Sequence, residues 1–171
     1  MIIREDDRII REDDLEFNFS NAINKPIKFD DSSHSLSHCM KAVDFVVELA
    51  DAYLFVEVKD PSHPKAPAQN IHNFKGKITS GELKDEIVKI FRDTFVYRWA
   101  EDKLEKPVYF LALVTIDEPL LNNFQTELHQ HLPFRGPKRW LRKIAVSCHV
   151  VNIEAWNRNY PKWPVRRLSE K

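Results

Sequence analysis

The sequence predicts an α/β domain, with a mixed central β-sheet flanked by helices, and three observations carry that expectation. Apolar runs at about 41–49, 53–60, 108–116 and 143–153 have the length of strands. Between them lie stretches with apolar residues at three- and four-residue steps, above all 82–104. The two kinds of segment alternate through the second half of the chain, as they do where a sheet is covered by helices.

At 171 residues, with 43% hydrophobic and 30% charged side chains, the chain fits a single domain (1–171) with one sizeable core. Its longest apolar stretches fall short of the ~20 residues a membrane helix needs. Charges rather than an apolar leader open the N-terminus, so a cytoplasmic location is expected. The two cysteines, Cys39 and Cys148, cannot build a disulfide framework, and Cys148 lies in an apolar run that suits a reduced, buried thiol.

The elements follow in order. Ile-Ile-Arg-Glu-Asp-Asp at 2–7 recurs at 9–14, which reads as a loose arm or the start of an amphipathic helix. Leu15, Phe19 and Ile23 continue a helical spacing, although Leu15, Phe17 and Phe19 also alternate like a strand; a helix is expected. Pro26–Phe29 suits a short strand and 30–38 a polar loop. The runs 41–49 and 53–60 are joined so tightly, through Ala50-Asp51, that they read as a hairpin. A loop rich in proline (Pro61, Pro64, Pro67) extends to Gly81, followed by the helix 82–104. Val108–Ile116 is apolar on both faces and therefore a central strand. Asp117 and Pro119 open a further helix with the stripe Leu120, Leu121, Phe124 and Leu128, which Pro133 ends. A buried strand at 143–153 and a tryptophan-rich tail over 154–171 complete the chain.

Net charge is zero, but its distribution is uneven. Residues 132–171 hold ten Lys/Arg against Glu154 and Glu170, a net +8 that leaves the remainder at −8. A basic region for phosphates beside acidic groups for a cation fits that asymmetry, and a solvated C-terminal surface fits it equally.

The most informative residues are Asp44, Glu57 and Lys59, charges set inside apolar runs. Burying a charge costs several kcal/mol unless it is paired or metal-bound. Side chains alternate along a strand, so Asp44 shares a face with Val46, and Glu57 and Lys59 share one with Phe55. A two-residue turn at Ala50-Asp51 sets Leu49 opposite Ala52 and Asp44 opposite Glu57, both acids on one face; an odd register would separate them. Two such carboxylates repel unless a cation bridges them, and Mg²⁺, a hard ion that orients phosphates, suits them. Lys59 would then act on a water nucleophile or on charge in the transition state, with the Val58 carbonyl as a further ligand.

Asp44, twelve intervening residues, then Glu57-Val58-Lys59 ending an apolar strand resembles the PD-(D/E)XK nuclease superfamily, the restriction-endonuclease-like fold. The resemblance covers roughly residues 10–153 and implies an αβββαβ core, here with an added helix. It implies Mg²⁺-dependent hydrolysis of a nucleic-acid phosphodiester, DNA ahead of RNA, with Mn²⁺ as a substitute ion. Asp44 and Glu57 become metal ligands and Lys59 the catalytic lysine. Some members add an acid from the first helix, for which Glu12 and Glu16 are the candidates, and many a Gln after the E-x-K strand, for which Gln69 is. Val43 stands where the name of the motif has Pro. The expected nucleic-acid contacts are Lys65, Lys75, Lys77, Arg139 and Arg142, and a homodimer or a larger complex would suit such a domain. The competing reading is an ion pair of Glu57 with Lys59 at a solvated strand end, on a non-catalytic domain that binds nucleic acid or protein.

Other chemistry is weaker. His34, His38 and Cys39 with Cys148-His149 lack the two close-spaced pairs of a zinc site. Ser147, Cys148 and His149 alternate in direction along one strand, against a nucleophile–base dyad. With only Gly76, Gly81 and Gly136 there is no glycine-rich phosphate loop. Trp140, Trp156, Trp163 and Tyr160 among cations suit either base stacking or packing of the tail, and packing is favoured.

Overall fold

The computed structural model describes residues 3–30, 34–134 and 136–170. Ile2 of the duplicated hexad, residues 31–33 of the polar loop, and Arg135 and Lys171 of the basic segment lie outside the described residues. The described residues form a mixed α/β structure with two sheets and four α-helices.

The N-terminus corrects the first expectation. In place of an arm and helix it forms a hairpin, β1 (Ile9–Glu12) and β2 (Leu15–Asn18), with Ile10 opposite Phe17 and Glu12 opposite Leu15. The period-two reading of Leu15–Phe19 prevails because Leu15, Phe17 and Phe19 all bury against the large sheet. Asp13 makes the turn at φ 47°, a region that Asp enters more readily than most residues.

The main sheet has the order β3-β4-β5-β6-β7. Strand β3 (Ile27–Lys28) pairs antiparallel with β4 (Phe45–Glu48), and β4 pairs antiparallel with β5 (Tyr53–Lys59). Strands β6 (Val108–Val114) and β7 (Ser147–Val151) then add in parallel. The β4–β5 register is the one the short turn predicts: Phe45 faces Val56, Glu48 faces Tyr53, and Leu49 N–H donates to the Ala52 carbonyl at 2.8 Å.

The segment 61–81, expected to be a loop, is a loop only at its start. Helix α1 (Gln69–Ser80) follows Pro67 and ends at Gly81, whose φ of 82° breaks the chain before α2 (Glu82–Ala100). Helix α2 buries Leu83, Ile87, Ile90, Phe91 and Thr94 along the predicted stripe but stops four residues early, where Asp102 turns the chain at φ 56°. Helix α3 (Glu118–His131) starts where expected; Asp117 occupies the cap position without a side-chain capping bond. The last strand is shorter than 143–153 because Asn152 caps a new helix, α4 (Ile153–Asn159), by accepting from Ala155 N–H at 2.9 Å.

The C-terminus is likewise structured. Strand β8 (Val165–Arg167) pairs antiparallel with β2, giving a second sheet ordered β1-β2-β8. Trp156 is fully buried against Phe17, which bears out packing for that tryptophan. The main sheet therefore lies between two cores. One face, with Val46, Phe55 and Phe110, packs on Ile87 and Phe91 of α2 and Phe124 of α3. The other, with Phe45, Leu54 and Leu111, packs on Phe17, Val165 and Trp156. Among the described residues no helix is long and apolar enough to cross a membrane.

Candidate metal centre

The β4–β5 ladder ends in a way that builds a site. Leu49–Ala52 is a hydrogen-bonded pair, so by alternation Val43–Val58 would be the next such pair beyond Phe45–Val56. It does not form. Val43 N–H donates instead to Thr94 Oγ1 of α2 at 3.0 Å, and Val58 N–H donates to Asp44 Oδ2 at 2.5 Å. The Asp44 carboxylate thus replaces a backbone partner. An extended residue directs its N–H and C=O to the same edge, so the Val58 carbonyl points to the Asp44 side as well.

Asp44 lies just beyond the last pair of the ladder, Phe45–Val56, where the alternation is broken, since Val43 packs in the core with Val46 and not with Phe45; the Glu57 charge nevertheless acts on the Asp44 carboxyl. Both are buried, Asp44 to 8% exposure and Glu57 to 3%. Burial is the main cause raising the Asp44 carboxyl above the usual range, and the Glu57 charge adds to it. Burial raises Glu57 too, with Lys59 opposing.

Lys59 Nζ lies 3.0 Å from Glu57 Oε1 and 2.9 Å from Glu86 Oε1 of α2. Burial works against its charge, but the two carboxylates raise its pKa above the ordinary lysine value. Glu57 Oε2, by contrast, is buried with no hydrogen-bond partner among the described residues. An orphaned carboxylate oxygen inside a protein is costly, and it sits beside a second buried acid.

Asp44 also belongs to a group that the sequence only partly anticipates. Ligand oxygens of Glu12, Asp30 and Asp44 lie within 4.8 Å of one another, the one such group of three or more His, Cys, Asp or Glu among the described residues. Glu12 comes from β1, in the other sheet, and Asp30 from the segment after β3. Lys28 Nζ is 2.8 Å from Glu12 Oε2, and that bond, with the charges of Glu12, Asp30 and Asp44, raises the Lys28 pKa against the effect of its burial. Hard carboxylate oxygens of this kind suit Mg²⁺ or Mn²⁺. Glu12, Asp30 and Asp44 are the groups brought within reach of one ion, whereas Glu57, expected as a ligand beside Asp44, is not a member of that group of three.

Asp30, Lys28 and Glu86 were not foreseen. Asp30 carries no signal from strand parity, which sets it on the face of Lys28 and not on that of Phe29, the residue whose N–H reaches the Asp44 carbonyl. Glu86 carries none either, because it merely precedes Ile87 of the core stripe.

The remaining expected residues are dispersed. Glu16, on β2 rather than on a helix, is held by Arg166 at 2.6 Å and Arg11 at 2.7 Å. Gln69 is exposed at the start of α1 and bonds Asn73 at 3.1 Å. Lys65 is exposed; Lys75 approaches Asp117 at 3.6 Å and Lys77 approaches Glu82 at 3.3 Å. Lys77 lines a cavity together with Lys59. Arg139 and Arg142 precede β7, beside Val146, whose N–H reaches Val108 at the start of β6. They therefore lie at the opposite end of the parallel strands from Lys59, which a sheet of about 3.3 Å per residue places several residues away. His34 is a core histidine between Phe29 and Tyr97, and Cys148 is buried while Cys39 is exposed, so no zinc cluster assembles from them.

Beside Lys59, Asp60 forms a two-pronged ion pair with Arg167 of β8, at 2.7 and 2.9 Å, and accepts from Thr115 Oγ1 at 2.6 Å. The small sheet thus grips the chain next to the site. Comparison with family models, with curated proteins and with solved structures finds no match to this chain.

Proposed function

We propose that the protein is a divalent-metal-dependent nuclease that hydrolyses nucleic-acid phosphodiester bonds, with Asp44 and Glu57 as principal metal ligands and Lys59 as the catalytic lysine. The observation that carries the reading is Glu57 Oε2, buried without a hydrogen-bond partner among the described residues, near Asp44 and two residues from Lys59 on the same strand face. A carboxylate in that position without a cation is a poor core component and a good ligand.

A bound Mg²⁺ or Mn²⁺ would supply charge neutralisation at the scissile phosphate and a lowered pKa for a water. The chain's own residues do the rest. Val58 N–H holds the Asp44 carboxylate in one orientation. Glu57 and Glu86 fix the Lys59 ammonium, which can position the attacking water or offset charge on the phosphate oxygens. Water adds to phosphorus and gives a proton to solvent, the P–O bond to the leaving sugar oxygen breaks, and that oxygen takes a proton from solvent.

The strand order supports the same reading. The meander β3-β4-β5 carries Asp44 at the entry to its second strand and Glu57 and Lys59 on its third, and helices and a parallel strand follow. That is the order expected of a PD-(D/E)XK core, although a hairpin stands where the leading helix was expected.

A second reading has one observation in its favour: Lys59 is already paired with two carboxylates, as in a non-catalytic domain with a structural ion cluster. Cleavage of supercoiled plasmid, linear duplex, single-stranded DNA and RNA with Mg²⁺ separates the two. The nuclease reading expects cleavage by the wild type and its loss in Lys59→Ala. Equal behaviour of the two proteins on every substrate refutes it.

A further inference from the structure

Helix α1 has twelve residues, yet Ile78 is the single side chain it buries. A helix of that length is marginal by itself and is normally held by an apolar face. Here Asn70, Asn73, Phe74 and Lys77, spaced i, i+3, i+4 and i+7, share a face that is mostly polar. They line a cavity of about 380 Å³ together with Lys59, Asp60, Pro61, Leu83 and Glu86. The helix thus packs Ile78 and part of Phe74 on the core, while Phe74 with the polar residues of that face also borders the space next to Lys59.

The lining has a particular chemistry. Phe74 offers a half-buried aromatic surface, and Asn70 and Asn73 offer amide donors and acceptors. Gln69 Nε2 donates to Asn73 Oδ1 at 3.1 Å, which holds that amide in one orientation. Among the described residues the half-exposed Lys77 pairs with Glu82 alone, at 3.3 Å, a surface pair weak enough to exchange for a phosphate. An aromatic face, amides for a base edge and a cation for the backbone are what binds an unstacked nucleotide. A base inside a duplex cannot reach a pocket of this size without leaving the stack.

We propose that this cavity receives one unstacked nucleobase beside the phosphate presented to Lys59, so that the substrate is single-stranded nucleic acid or carries an unpaired nucleotide. Phe74 stacks on the base, Asn70 and Asn73 contact its edge, and Lys77 contacts its phosphate. This inference rests on the nuclease reading and deepens it by naming the substrate class.

Binding of short fluorescent oligonucleotides, followed by anisotropy in EDTA so that metal-dependent cleavage does not intervene, tests it. Single-stranded DNA or RNA is expected to bind more tightly than duplex DNA of equal length; comparing the two single strands shows which sugar is preferred. Phe74→Leu is expected to weaken single-strand binding by about tenfold, and Phe74→Tyr to restore it. Asn73→Ala is expected to change the order of affinity among homopolymers. A Phe74→Leu melting temperature equal to that of the wild type separates loss of stacking from loss of folding. The inference is overturned by duplex binding as tight as single-strand binding, or by Phe74→Leu affinity within about twofold of wild type. If those results accompany Lys59-dependent cleavage, the pocket fails and the nuclease stands. If single-strand binding depends on Phe74 but no substrate is cut, the nuclease fails and the base pocket stands.

Discussion

The acidic centre is expected to destabilise the metal-free protein, and Asp44→Asn tests this directly. Asparagine keeps an oxygen that can accept from Val58 N–H while removing the charge. Oxygens of Glu12, Asp30 and Asp44 lie within 4.8 Å of one another. At that separation two ionised carboxylates repel by about 3 kcal/mol at an effective dielectric of 20. Lys28 offsets part of this, so the expected gain on removing Asp44 is about 2 kcal/mol, or a Tm about 4–8 °C higher for a chain of this size. The sign also fixes the pH behaviour. Burial and the Glu57 charge raise the folded Asp44 pKa above the ordinary aspartate value, so the folded state holds the proton more tightly. Wild-type stability then falls as pH rises above the unfolded value towards the folded one, and Asp44→Asn lacks that decline. On the proposed metal reading, the wild type is expected to gain about 3 kcal/mol in Mg²⁺ at a hundred times its Kd, and the variant none. Thermal melts in EDTA and in Mg²⁺ should therefore cross. An asparagine variant less stable than wild type in EDTA, or an equal Mg²⁺ shift in both proteins, refutes the reasoning.

Arg167→Ala strands Asp60, since both side chains are buried to 6–7% exposure, and should cost about 3–5 kcal/mol by urea denaturation. Although burial opposes its charge, Asp60 is held below the ordinary aspartate pKa chiefly by Arg167. Its stabilisation is therefore fully present above the unfolded value and is lost as pH falls through the folded one; acid denaturation curves of wild type and Arg167→Ala should converge at low pH. Gly81→Ala meets nothing nearer than Lys84 Nζ at 3.9 Å but must adopt φ 82°, so a loss of about 1–2 kcal/mol from backbone strain alone is expected in the same assay. Trp156→Ala, emptying a fully buried indole next to Phe17, should cost about 3–5 kcal/mol.

How legible the fold was depended on how local its determinants are. The β4–β5 pairing follows from a two-residue turn and period-two parity, both read within twenty residues, and the structure has that register. The stripes of α2 and α3 are equally local. The N-terminal hairpin was misread because Leu15–Phe19 satisfies both periods over so short a window. What selects the strand is pairing with Val165–Arg167 at the other end of the chain. Helix α1 was masked by the prolines before it and by Gly76 within it, residues that lower helix propensity without forbidding a helix that begins after the last proline.

The same distinction explains the site. Asp44, Glu57 and Lys59 stood out because each breaks the apolar pattern of its own strand, a conflict that tends to mark function. Glu12 and Arg167 break no local pattern; each sits among other charges, and only the meeting of the two sheets brings them to the end of β5, while Asp30 arrives from the segment after β3. Glu12 reaches Asp44 from β1, and Arg167 grips Asp60 from β8, both across the strand β2 that joins them. The small sheet therefore supports the centre from two sides. Weakening the β1–β2 hairpin should lower metal affinity through Glu12 even where the main sheet is untouched, whereas cutting the Arg167–Asp60 tie should lower stability first.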